Sequence, residues 1–239
     1  MPSWSIHLKI ASELSKKIKV DKDKFLFGSL LPDTDKGCKL DRFHSHYYGE
    51  SRFPECPNEY MIEMDRFLND YQDKLSDSLI LGYYVHLLTD HFYNKYIYTN
   101  KWVQDENHNV IGIKKNDGTI IDISNNSRES LKYKHNDLNL YGKMLFDDGE
   151  VDVPDDCESI IESIGLIKDQ SVSIKDVVNK ILYLNMGFFD FNIITDEEYE
   201  HGYDIFTQEE LDNLLDECIK YIESELSRLN LMSDNKLIK

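Results

Sequence analysis

A mainly α-helical fold with one small β-hairpin insertion is what this sequence predicts, and three observations carry that expectation. Apolar residues recur at steps of three and four near both ends, at Trp4, His7, Leu8, Ala11, Leu14 and Ile18, and again at Leu211, Leu214, Leu215, Cys218, Ile222, Leu226 and Leu229. That is the spacing of one helix face. An apolar stretch from Leu79 to Tyr93 is interrupted by His86, Asp90 and His91, so it suits a buried helix and falls short of the ~18 apolar residues of a membrane span. Only residues 102–123 change character: Val110–Ile113 and Thr119–Ile123 flank an Asp117-Gly118 turn, which reads as a hairpin. The 239 residues are expected to form one domain, 1–239, since a chain of this length is within reach of a single large one.

The elements follow in order. Ser3 or Ser5 caps the first helix. Phe25–Leu31 is a short apolar run whose Gly28 and Ser29 permit close packing, and Pro32 ends it, leaving Asp33 at the boundary. Residues 34–57 mix Gly, Pro, Cys and charges and read as a long loop holding Phe43-His44-Ser45-His46-Tyr47-Tyr48; loops of that length are often functional. Asn58 then caps a helix with the face Tyr60, Ile62, Met64, Phe67, Leu68 and Tyr71, and Ser76 or Ser78 caps the next, which runs to about Tyr96. After the hairpin, helices are expected within 127–146, 155–164 and 174–184, then an aromatic segment at 187–191. Thr207 with Glu210 forms a capping box opening the last helix.

Charge narrows the function classes. Lys and Arg number 27 against 45 Asp and Glu, a net charge of −18. A surface this acidic disfavours duplex nucleic acid and anionic headgroups, so a phosphate-bearing substrate needs local positive charge. The 41% hydrophobic and 12% aromatic content supplies a core. The start MPSWSIHLKIASELSKKIKVDKD has no signal-like pattern, and Cys38, Cys56, Cys157 and Cys218 make no CxxC pair. The expectation is a cytoplasmic protein with reduced thiols and no stable membrane insertion.

The chemistry concentrates in Leu81-Gly82-Tyr83-Tyr84-Val85-His86-Leu87-Leu88-Thr89-Asp90. His86 and Asp90, four apart, stack on one helix face, with Gly82 one turn earlier leaving space beside them. A buried carboxylate among apolar neighbours needs a partner, and a bound cation is one solution. An Asp that merely bonds a histidine ring or caps a neighbouring helix reads the same way. His7 on its apolar stripe, Asp33 after its apolar run and His46 in its aromatic loop add nitrogen and oxygen donors, although each also has a reading as core, turn or stacking residue. Their convergence on one metal site is the economical alternative to four coincidences. His91, about 140° around the helix from His86, and His108 and His201 read as surface residues, and the acid runs 155–156 and 196–198 as caps or solvent-facing groups.

The order of WxxH, FGSLLPD, SHYY and LGYYVHLLTD resembles the zinc-dependent phospholipase C family, whose fold is shared with the fungal single-strand nucleases. Short cytoplasmic bacterial members are the nearest in character, and the likeness covers roughly residues 1–97. It implies a multi-helix bundle in which Asp33, His46, His86 and Asp90 hold one zinc and His7 with a shared Asp90 holds a second. His46 is preferred to His44 because the family's ligand is followed directly by an aromatic residue, here Tyr47. Two departures stand out. The secreted members' processed N-terminal tryptophan ligand is missing, since Trp4 follows Met-Pro-Ser. The stretch Phe92–Tyr96 offers no histidine for a third zinc; His135 and Asp137, on a later helix, are the additional candidates, or else a solvated face.

The function this implies is metal-dependent hydrolysis of a small phosphoester, a diester or monoester. Asp90 bridges two ions, most simply Zn²⁺ with Fe²⁺ or Mn²⁺ as alternatives, and a metal-bound hydroxide is the nucleophile. The rival is a non-catalytic protein of the same fold that keeps a structural ion and binds a protein partner. Metal stoichiometry separates the two.

Overall fold

The computed structural model describes residues 2–33, 42–50, 60–123, 129–167, 174–190 and 194–232. The chain opens with α1 (Trp4–Ser15) and α2 (Lys22–Gly28), a 3₁₀ turn at Leu31–Asp33, the short α3 (Arg42–Ser45), and strands β1 (Tyr48–Glu50) and β2 (Tyr60–Ile62). Next come α4 (Met64–Tyr71), α5 (Ser78–Asn100) and the strands β3 (Trp102–Gln104), β4 (Val110–Lys114) and β5 (Ile120–Asp122). Five helices complete it: α6 (Glu129–Asp147), α7 (Cys157–Ile164), α8 (Ile174–Asn185), α9 (Asp196–His201) and α10 (Gln208–Arg228). The fold is mainly α, with two small antiparallel sheets, β1-β2 and β3-β4-β5.

Helix α5 is the axis of the molecule. From Leu79 to Asp90 every residue is buried, so that stretch has no solvent face and must be surrounded by other elements. At 23 residues it is about 35 Å long. Helices α1, α2, α4 and α10 and strand β2 all lie against it, and one apolar core runs from Ile6 through Leu226. Among the described residues no helix is long and apolar enough to cross a membrane.

Several boundaries differ from expectation. Tyr60–Ile62 is a strand paired with Tyr48–Glu50 rather than the first turn of a helix; the helix begins at Met64, after Glu63. Asn58, the expected cap, lies outside the described residues, as do Cys38 and Cys56. Asp77, not Ser76 or Ser78, caps α5, accepting from the N–H groups of Leu79 and Ile80. Pro32 sits inside the 3₁₀ turn, where its missing N–H costs little. The insertion is a three-stranded meander, because Trp102–Gln104 pairs with Val110–Ile113 as an extra strand. Thr207 does cap α10, accepting from the Glu210 N–H, but the Glu210 carboxylate is drawn away to Lys101 at 2.7 Å and to the Tyr96 hydroxyl at 2.6 Å. The reciprocal capping box is at Thr195 and Glu198.

Two glycines set the crossing that matters for the site. A Cβ on Gly28 would lie 2.2 Å from the Leu79 carbonyl oxygen, and one on Gly82 would lie 2.2 Å from the Phe25 carbonyl oxygen. Helices α2 and α5 therefore touch backbone to backbone. Because Gly82, His86 and Asp90 share one face of α5, this approach brings the Ser29 carbonyl, just past the end of α2, against the His86 ring. Gly82→Ala is expected to destabilise the fold by about 1–3 kcal/mol through overpacking, read as a lower urea midpoint; an unchanged midpoint would show that the helices can part without cost.

Candidate metal centre

Five side chains from four places in the chain meet beside α5. His7 comes from α1, Asp33 from the 3₁₀ turn, His46 from just past α3, and His86 and Asp90 from α5. All are buried, and four of the side chains have no exposure at all. His7 Nε2 lies 3.4 Å from Asp90 Oδ1, while Asp90 Oδ2 lies 3.5 Å from His86 Nε2 and 3.7 Å from His46 Nε2. His46 Nε2 is also 3.3 Å from Asp33 Oδ1 and 3.3 Å from His86 Nε2. The His7 and His86 rings stack at 4.0 Å. Two overlapping triads, His7-His86-Asp90 and Asp33-His46-His86, have donor atoms close enough to hold a metal ion.

Local structure dictates which ring nitrogens face inward. His86 Nδ1 lies 2.7 Å from the Ser29 carbonyl and His46 Nδ1 lies 3.1 Å from the Arg42 carbonyl. A carbonyl only accepts, so each Nδ1 carries the proton and each Nε2 presents its lone pair to the centre. The His46 loop is set by Tyr47, whose positive φ of 52° turns the chain sharply at a cost of about 1–2 kcal/mol for a non-glycine residue. In return the Tyr47 ring packs edge-on against Phe67 and its hydroxyl donates to Asp70, while the Tyr48 ring lies parallel to His46.

The protein alone leaves this cluster unsatisfied. Both ring nitrogens of His7, Oδ1 of Asp33 and both oxygens of Asp90 are buried without a hydrogen-bond partner. Burial and the neighbouring His86 push His7 down to about 4, so it is neutral at physiological pH. Burial alone would raise both carboxyls. The His86 and His7 rings instead hold Asp90 well below the usual range, and His46, His86 and Arg42 do the same for Asp33. Burial disfavours the charged His86, but Asp90, with Asp33 and the Ser29 carbonyl, outweighs it and raises the His86 pKa. Ionised oxygens and inward lone pairs in a dry cage are the donor set of a transition-metal site. The residues present fit zinc.

Residues 5–117 match the family described as zinc dependent phospholipase C. Over this stretch, just under half of its length, the chain is similar to that family. No curated protein and no solved structure gives a significant match. This match, together with the buried His/Asp cluster, supports a metal-dependent hydrolase.

Not every candidate joins the cluster. His44 is exposed on α3, and His135 is exposed on α6, near enough to feel Arg42 and Asp33 but outside both triads. Asp137 is engaged elsewhere: its oxygens accept from the backbone N–H groups of Asp204, Ile205 and Phe206 at 2.8–3.0 Å, stapling α6 to the approach of α10. Burial pushes Asp137 up to about 6 even against those three donors. His108 and His201 are exposed, whereas His91, expected at the surface, is half-buried. Cys218 is a buried free thiol.

Three residues at or near the centre were not among the expected donors, although stacking of Tyr48 on His46 was one of the readings the sequence offered. Arg42 Nη2 lies 3.2 Å from Asp33 Oδ1. Tyr48 covers the outer face of His46. Asp190 accepts from the Trp4 N–H at 2.9 Å, holding the start of α1, with its other oxygen buried and unpaired; burial pushes Asp190 up to about 7. No spacing rule joins residue 190 to residue 4, so only the fold reveals it.

Two comparisons of variants check these placements. His46→Gln is expected to lose bound zinc and His44→Gln to retain it, as read by elemental analysis; loss confined to the His44 variant would reverse the assignment. Asp137→Ala is expected to cost about 2 kcal/mol or more, since three N–H groups lose their acceptor, with zinc content unchanged.

Proposed function

We propose that the chain is a two-metal phosphoester hydrolase in which Asp33, His46, His86 and Asp90 would hold one divalent ion and His7 with a shared Asp90 a second. The observation that carries this reading is the split of the Asp90 carboxylate, Oδ1 towards His7 and Oδ2 towards His86 and His46. Five donors also exceed the four that one tetrahedral structural zinc needs. Zn²⁺ is the ion the family implies, and mixed imidazole and carboxylate donors accept Fe²⁺ or Mn²⁺ as well. When bound, such ions supply Lewis acidity, which acidifies water and offsets charge gathering on a phosphoryl group.

The chain's own residues prepare that chemistry. The carbonyls of Ser29 and Arg42 hold the His86 and His46 rings in one tautomer and raise their basicity as ligands. Arg42 steadies Asp33. The apolar core around α5 keeps water from the inner side, which strengthens every electrostatic interaction there. The family's description points to a lipid-like phosphoester, diester or monoester, as the substrate.

A second reading is favoured by one observation: the side chains of His7, His46, His86 and Asp90 have 0% exposure, as befits a closed structural site. Elemental analysis separates the two, two ions per chain supporting the hydrolase and one inert ion the structural role. Asp90→Asn keeps the shape but not the charge of the bridge. It is expected to reduce the metal content to one ion or none and to lower hydrolysis of an aryl phosphodiester by at least about 100-fold. Chelation should lower the Tm of the wild-type chain. Full activity in Asp90→Asn, or a wild-type chain that is metal-loaded and inert across a phosphoester panel, would overturn the hydrolase.

A further inference from the structure

Helix α8 ends in exposed apolar side chains. Its inward stripe is ordinary: Val177, Ile181 and Leu184 recur at helical spacing and are buried. On the outward side Leu182 is 54% exposed, Tyr183 56% and Met186 67%, and Phe188, just beyond the helix, is 48% exposed. Elsewhere among the described residues large apolar side chains reach water singly, as Ile120 and Leu131 do; here four stand together between 182 and 188. We propose that this tip is a docking surface for a lipid layer with zwitterionic headgroups.

The way the helix ends explains part of the cluster and leaves the rest. The Gly187 N–H donates to the Leu184 carbonyl and the Phe188 N–H to the Tyr183 carbonyl, both at 2.9 Å, with Gly187 at a φ of 79°. That pair of bonds is the Schellman ending, in which the residue after the glycine packs back on the last turn, as Phe188 does edge-on against Tyr183 at 6.0 Å between ring centroids. Both rings nevertheless remain half exposed. Leu182 and Met186, one turn apart on the same face, have no part in the staple. Capping therefore accounts for one pairing and not for an apolar patch on the surface, which marks a contact with something else.

Charge selects the occupant. The chain carries 45 acidic residues among 239, yet none lies between Val177 and Phe189, where the one charged residue is Lys180, itself buried over the Trp4 ring. An uncharged tip on a body of net −18 is kept from an anionic membrane and from a second copy of the chain by like-charge repulsion. A zwitterionic layer opposes it with no net charge, and it admits leucine, methionine and aromatic side chains beneath its headgroups with no charge to desolvate. The tip is also close to the metal centre in the fold. Phe189 is buried against Phe146, and Asp190 holds the Trp4 N–H at the start of α1, within electrostatic reach of Asp33. A layer held at Leu182 and Met186 thus lies towards the end of α1 that carries His7.

Docking of this kind takes its purpose from the hydrolase reading, and rests on it for that, since a lipid-like phosphoester is met at such a surface; the contact itself needs no catalysis. The full chain is sedimented with vesicles of phosphatidylcholine and, in parallel, with vesicles that also contain phosphatidylserine, and the bound fraction is measured. Wild type is expected to bind the first and to bind the second more weakly. Leu182→Gln combined with Met186→Gln is expected to weaken binding to phosphatidylcholine about tenfold or more, with each single variant intermediate. Both side chains are more exposed than not, so zinc content and Tm are expected to stay at wild-type values. A wild-type chain that ignores phosphatidylcholine, a double variant that binds like wild type, or tighter binding to the vesicles with phosphatidylserine would each overturn the docking tip. So would a wild-type dimer in sedimentation velocity that the double variant splits, which would give the patch to a second copy. Vesicle binding by a chain inert towards every phosphoester would leave the tip standing and remove the hydrolase, and hydrolysis of a soluble aryl phosphodiester without vesicle binding would do the reverse.

Discussion

Two carboxylates with almost no water are the constraint around which this molecule is arranged. Asp33 and Asp90 are buried within a few ångströms of the same two imidazoles, and among the described residues Arg42, at the edge, is the permanent cation that pairs with Asp33. An ionised acid in such surroundings is costly unless charge or hydrogen bonds compensate it. The histidines offer partial compensation at best, because two of the three have already committed their Nδ1 protons to carbonyls. The cage is therefore electron-rich, and its stability is tied to whatever cation enters it.

The packing of helices supplies the geometry that this constraint requires. Glycine at 28 and 82 lets α2 approach α5 without side chains between them, which puts a carbonyl one turn below Asp90. A bulkier crossing would move Ser29 away from His86 and free the ring to adopt the other tautomer. The aromatic knot around Tyr47, Phe67 and Tyr83 performs the same service for His46: it absorbs the sharp turn at Tyr47 into the core. Ligand direction is thus set by contacts that are themselves apolar.

Much of this was legible in the sequence. The periodicity of residues 4–18 and 211–229 and the apolar run at 79–93 translate directly into α1, α10 and α5, because burial on a helix leaves a repeating mark. His86 and Asp90 follow from the same repeat. What escaped lies where structure is made by contacts distant in the chain. Tyr60–Ile62 has helical spacing with the residues after it, yet it becomes a strand because Tyr48–Glu50 is there to pair with it. Asp137 looked like a donor in a polar run and proved to be a clamp on a distant backbone. Arg42, in a short helix within a loop, had no pattern to mark it.

The bond from the Trp4 N–H to Asp190 spans 186 residues. Two further long-range ties hold α1 and the turn after it, Ser12 to Asp152 across 140 residues and Lys17 to Glu223 across 206. The helix that carries His7 is therefore steadied by the second half of the chain, although all five clustered side chains lie in the first 90 residues. On a ribosome, where chains emerge from the N-terminus, those five have been made long before their scaffold exists. Contacts of such separation close late, because the entropy of long loops opposes them until the rest of the core is gathered. A nascent chain thus carries a loose set of soft donors well before it owns a shaped cavity, and selectivity among metals becomes a property only of the finished protein.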